Sequence, residues 1–94
     1  MILVRDVFQA KYGRGDELVA LFKAFPNNIP YKFRILTDAS GPFFTVVTEL
    51  VVESLAEYER LLPVEFGSPE FPAWFEKMVP LVESGRREFY HIVE

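Results

Sequence analysis

The only histidine of this chain, His91, stands in the closing stretch GRREFYHIVE, where an imidazole could act as an acid–base group, a metal ligand or packed filling. Two further polar residues interrupt apolar, strand-like stretches: Arg34 within YKFRILT and Glu49 within FFTVVTELVV. On neighbouring strands, Arg34, Glu49 and His91 would come within reach of one cavity and could steer a charge on a small molecule. Charges on a half-exposed strand, or satisfied pairs at a dimer interface, explain them more simply, because buried charges are usually kept only when paired. A fourth candidate is Trp74, which with Phe71, Phe75 and Met78 forms an aromatic stripe at helical spacing. Such a stripe is the ordinary core face of an amphipathic helix, and it would also wall a pocket for a flat apolar ligand.

Other chemistry is missing from the sequence. There is no cysteine, which removes disulfides, thiolate metal sites and a cysteine nucleophile. One histidine without a clear carboxylate partner makes a poor metal site, and no glycine-rich phosphate loop or nucleophile–base arrangement is present. The expectation is a protein without metal or cofactor. A formal charge of −4, with acidic residues spread along the chain, would repel a phosphate backbone, so nucleic acid is not an expected partner. The opening MILV is interrupted by Arg5 and Asp6, too early for a signal-peptide core or a membrane span. A cytoplasmic protein with no membrane partner is expected.

The elements that must position these residues follow from hydrophobic period. Met1 to Lys11 reads as a strand closed by a turn at Tyr12 to Gly15, and Asp16 as the cap of a helix whose apolar stripe is Leu18, Leu21, Phe22 and Phe25. Pro26, Asn27 and Asn28 stop it. Tyr31 to Thr37 and Phe43 to Val52 alternate as two strands of a hairpin around Asp38 to Gly41. An even loop places Phe33, Ile35, Phe44, Val46, Thr48 and Leu50 on one face, and Arg34, Leu36, Val47, Glu49 and Val51 on the other; a two-residue loop would set Lys32 opposite Glu49. Ser54 to Glu57 fits a capping box opening a helix that Pro63 ends. A second helical stretch runs from Pro69 to Val82, kinked at Pro80 and stopped by Gly85, and Arg86 to Glu94 alternates as the last strand.

The order is βαββαβ. It predicts an α+β, ferredoxin-like domain over residues 1–94, a four-stranded antiparallel sheet with its helices on one face. The opposite face has no cover in a single chain, although Leu36, Val47 and Val51 lie on it. A chain of 94 residues, half of them apolar, hides only roughly 60 to 65 per cent of its unfolded surface. A second copy packed on that face would close an eight-stranded barrel about a two-fold axis, so the expected partner is the chain itself. His91, in phase with Phe89 and Val93, is expected to be at least partly buried, most simply as filling with a satisfied hydrogen bond.

The stretch TELVVESLAEYERL, the ending PAWFEKMVPLVESGRREFYHIVE, and an opening strand that runs into a glycine turn and helix resemble the dimeric α+β barrel superfamily, in particular its small NIPSNAP-like members. The resemblance spans almost the whole chain and implies a homodimer. It leaves function open, because the superfamily includes cofactor-independent monooxygenases, muconolactone isomerases, haem-handling enzymes and proteins without an established activity. The haem-binding branch is set apart by its helical histidine, which this chain lacks, and the monooxygenase branch by an Asn, Trp and His set on the strands, whereas Trp74 is helical and Asn27 and Asn28 fall in a loop. Two readings remain: a homodimeric barrel binding a small, mostly apolar molecule between sheet and helices, and a cofactor-free oxygenase or isomerase enclosing its substrate there.

Overall fold

A computed structural model describes residues 1–26 and 31–94 of the chain. Strand β1 (Ile2–Ala10) leads into α1 (Gly15–Lys23), and β2 (Arg34–Thr37) and β3 (Thr45–Val52) form the hairpin. Helices α2 (Leu55–Phe66) and α3 (Phe71–Met78) follow, then a short 3-10 turn (Val79–Leu81) and β4 (Val82–His91). The strands make one four-stranded sheet in the order β2-β3-β1-β4, and every pairing is antiparallel. This is the expected ferredoxin-like arrangement, in which β1 is central and β2 and β4 are the edges.

Face parity follows the alternation in the sequence. Ile2, Val4, Asp6, Phe8 and Ala10 of β1 share the helix side with Val46, Thr48, Leu50 and Val52 of β3, because these residues are register partners or stand two apart. Two apolar clusters fill that side. Ile2, Val4, Val52, Tyr58 and Leu61 pack under α2. Ala10, Leu18, Phe22, Val46 and Trp74 pack under α1 and α3. The separate clusters leave the middle of the sheet less filled than its ends.

Several local expectations need correction. Asp16 lies within the first turn of α1, whose cap position is Arg14; no side chain caps it, and Asp16 and Glu17 instead place negative charge at the positive end of the helix. Ser54 does cap α2, its hydroxyl accepting from the Glu57 N–H at 3.1 Å, but the Glu57 carboxylate turns to Arg60 and Tyr31 rather than back to the cap. Pro63 sits inside α2, which continues to Phe66. The turn after it needs Gly67, since a Cβ there would meet the Pro63 carbonyl oxygen at 2.3 Å. Gly85 is no stop either: it lies within β4, opposite Phe8, where the missing side chain leaves room for the Phe8 ring. Pro80 falls in the 3-10 turn, so the helical stretch ends at Met78 instead of bending onward to Val82. The expected stop at Asn27 and Asn28 lies outside the described residues.

In the hairpin, Arg34 and not Lys32 stands opposite Glu49, because the loop between Thr37 and Thr45 is longer than the tight turn considered. Parity is unchanged, so Arg34, Leu36, Val47, Glu49 and Val51 do share the face without helices. They do not form one exposed patch. Val47, flanked by Leu36 and Val7 on the adjacent strands, is 6% exposed in the single chain, whereas Val51 is 38% exposed. His91 is exposed, contrary to expectation. It ends an edge strand and has a neighbouring strand on one side only, so nothing closes over its ring.

Candidate functional site

Asp6 is the one charge in the helix-side phase of β1, and register sets it directly across from Arg87 on β4 and Thr48 on β3. Arg87 donates to both carboxylate oxygens of Asp6, Nε to Oδ1 at 2.7 Å and Nη2 to Oδ2 at 2.9 Å. This bidentate fork fixes the guanidinium plane as well as its charge. The same guanidinium lies 5.4 Å from the centre of the Tyr58 ring, which α2 presses toward the sheet. Seven residues along α2, two helical turns, Glu65 returns to the same side.

These groups line a cavity of about 280 Å³ between the sheet and the helices. Its remaining walls are apolar and largely aromatic: Val4, Phe8 and Leu50 from the strands, Phe22 and Phe25 from α1, Phe33 before β2, and Phe66, Phe71, Trp74, Phe75 and Met78 from the end of α2 and from α3. The cavity lies where the two apolar clusters fail to meet, since it draws Tyr58 from one and Phe22 and Trp74 from the other. Phe25 and Trp74 meet edge to face at 4.7 Å, and Phe71 and Phe75 stack at 5.7 Å. Ring-to-ring packing of this sort holds the wall in place without filling the space in front of it.

Electrostatics distinguish the polar members. Burial pushes the Tyr58 phenol up to about 12, with the Arg87 charge opposing that shift. Burial likewise holds the Glu65 carboxyl above the usual carboxylate value, with Arg87 pulling it down and Asp6 pushing it up. Arg87 is held in its charged form first by the hydrogen bonds to Asp6. The result is a paired ionic floor, a neutral phenol and a carboxylate, set among apolar walls. Such a site can orient one polar group of an otherwise apolar molecule.

Of the four residues expected from the sequence to meet at a pocket, only Trp74 lines this cavity. Its indole N–H donates to the Leu21 carbonyl oxygen at 2.7 Å, so it offers the cavity an apolar ring whose polar end is already satisfied. Arg34 and Glu49 do come together, on the other side of the sheet. Glu49 is 6% exposed and accepts from Arg34 Nε at 2.8 Å and from Arg5 Nη1 at 3.0 Å. Arg5 also lies 3.4 Å from Glu88. That network is a buried carboxylate neutralised by two arginines, the paired arrangement the sequence allowed for. His91 joins neither group.

Sequence reasoning missed Asp6, Tyr58, Glu65 and Arg87. A signal was present for two of them: Asp6 shares a phase with Ile2, Val4 and Phe8, and Arg87 one with Phe89, so each is a charge where the alternation calls for an apolar residue. Among the described residues, no group of three or more His, Asp or Glu side chains is placed to hold a metal ion, and no helix is long and apolar enough to cross a membrane.

No protein-family model matches the sequence, and none of the curated proteins does. Solved structures do share its fold. An uncharacterised NIPSNAP domain protein from Burkholderia xenovorans superposes with a TM-score of 0.87 at 16% identity, covering 99% of this chain and 95% of that one. A NIPSNAP family protein from Agrobacterium tumefaciens gives 0.81 at 16% identity over 99% and 93% of the two chains. A candidate antibiotic biosynthesis monooxygenase from Chloroflexus aurantiacus gives 0.75 at 14% identity, again over 99% and 93%. At such identities the likeness establishes the shared ferredoxin-like fold alone.

Proposed function

We propose that this protein binds a small, mostly apolar molecule in the cavity between sheet and helices, and that it does so as a homodimer joined through the helix-free faces of two sheets. The observation that carries the first part is the cavity: about 280 Å³, walled by aromatic rings and converging on Asp6, Arg87, Tyr58 and Glu65. A well-packed core leaves no space of this size, so an aromatic-lined void with polar groups at one place is better suited to a guest than to packing. The homodimer is supported by the sheet face that carries Leu36, Val47 and Val51, on which no described helix packs and where Val51 remains 38% exposed.

The test uses Trp74, the only tryptophan of the chain. Its indole N–H gives one nuclear magnetic resonance signal that needs no assignment, and titration with 2-phenylethanol should shift it saturably. Thr48→Phe, which fills the cavity from β3, should abolish the shift while preserving the melting temperature. An indole signal in the wild type that neither this alcohol nor an amine or carboxylate of the same size moves would end the ligand-binding reading.

A second reading, a cofactor-free oxygenase or isomerase, draws on Glu65. A carboxyl raised above its usual range by burial is, once ionised, a stronger base than an ordinary carboxylate and can take a proton from a weakly acidic substrate, whose carbanion or enolate could then meet dioxygen or reprotonate elsewhere. Dioxygen uptake with substrate phenols, lost in Glu65→Gln, would favour this reading over simple binding.

A further inference from the structure

The cavity contains one charge without a bonded partner among the described residues. Asp6 and Arg87 cancel through their two-point contact. Glu65, facing them from α2, has no hydrogen bond or ion pair among the described residues. The titratable and charged groups around it are Asp6 on β1, Arg87 on β4 and Tyr58 on its own helix, and with Glu65 ionised their sum is −1.

Resting on the ligand-binding reading above, we infer that the cavity takes a compact cationic ligand, an ammonium-type head group set against Glu65 on an apolar body held by the aromatic walls. An anionic head group would bring the cluster to −2 unless Glu65 took up a proton, and a neutral hydroxyl would leave the charge in place. A cation makes the cluster neutral. It also suits the walls, because the faces of Phe66, Phe71 and Trp74 are electron-rich and attract cations, as the Tyr58 ring already does with Arg87. Arg87 does not bar such a head group, because the Asp6 carboxylate held against it offsets its charge. The upward displacement of the Glu65 carboxyl agrees with a charge that lacks its partner.

Three probes with one phenyl ring and nearly equal length separate the possibilities: 2-phenylethylamine, 2-phenylethanol and 3-phenylpropanoate, titrated at pH 8 against the Trp74 indole signal and by calorimetry. The amine is expected to bind at least about tenfold tighter than the other two, equivalent to about 1.4 kcal/mol. Glu65→Gln should remove that preference, weakening the amine about tenfold relative to the alcohol. In the wild type, amine affinity should fall as pH drops from 8 to 4 and Glu65 takes up its proton, while alcohol affinity stays level; this arm decides the matter without the variant. An alcohol or acid that binds as tightly as the amine, or a preference that survives in Glu65→Gln, overturns the cationic ligand and leaves the cavity as a binding site. Failure of all three probes to move the indole signal overturns the binding site itself.

Discussion

Asp6 and Arg87 face each other on adjacent strands and join through two hydrogen bonds, 2.7 and 2.9 Å long, on the side of the sheet that the helices cover. A charge in the apolar phase of one strand is thereby answered by a charge in the same phase of the next. Asp6→Asn keeps the shape but leaves the guanidinium with a neutral acceptor beside Tyr58. Because the pair is partly solvated, the expected loss is about 1 to 2 kcal/mol, read as an earlier midpoint in urea. A midpoint equal to that of the wild type would mean that water replaces the contact without cost.

Glu65 should make stability depend on pH in a defined direction. Its folded value is raised above the ordinary 4.5, so the fold favours the protonated form. Stability is therefore full below pH 4.5 and declines as pH rises through the raised value. Glu65→Gln lacks this slope, and in the absence of ligand its melting temperature should exceed that of the wild type at pH 7 and converge with it near pH 4. A variant less stable at pH 7 would show that the carboxylate has a partner in the folded chain.

Tyr58 predicts an alkaline counterpart. With its phenol moved from 10 to about 12, the folded state resists ionisation that the unfolded chain accepts. Its contribution is intact below pH 10 and diminishes as pH rises to 12, by on the order of 2 kcal/mol. Comparing Tyr58→Phe with the wild type by denaturant unfolding at pH 9 and pH 11 isolates this term. Identical pH slopes in the two proteins would refute it.

Val47 and Val51 share a face yet should respond differently to a charge. Val47 is 6% exposed within one chain, so Val47→Asp should unfold the chain itself. Val51 is 38% exposed, and Val51→Asp should convert a dimer to folded monomers. The valine surface still open to burial is worth on the order of 1 kcal/mol, and a two-fold axis counts it twice. Light scattering with circular dichroism reads both outcomes; a monomeric wild type at micromolar concentration would defeat the homodimer.

His91, exposed at the end of an edge strand, should be replaceable. His91→Asn and His91→Phe are expected to change stability by less than about 0.5 kcal/mol and to leave the 2-phenylethanol titration unaltered. Loss of probe binding in both variants would return His91 to the site.

Period and punctuation in the sequence were enough to determine the order of elements, the parity of the strands and the placing of Ser54 as a helix cap. These depend on neighbours within a few residues, where alternation by two or recurrence by three to four leaves a direct imprint. Pro63 and Gly85 misled for the complementary reason. Each carries a local tendency to end an element, but α2 runs past Pro63 to Phe66, whose ring packs on Phe71 of α3, and Gly85 is kept in its strand by the pairing with Phe8.

The site was decided at longer range. Asp6 and Arg87 are 81 residues apart and meet only because β4 pairs with β1, while Arg34 and Glu49, which the sequence brought forward as pocket residues, are committed by the same sheet to its other face. The type of each residue was visible from the start. Its partner was not, because register slides in steps of two without disturbing the alternation, and only the closed sheet with helices packed on it determines which charge meets which and where space remains between them.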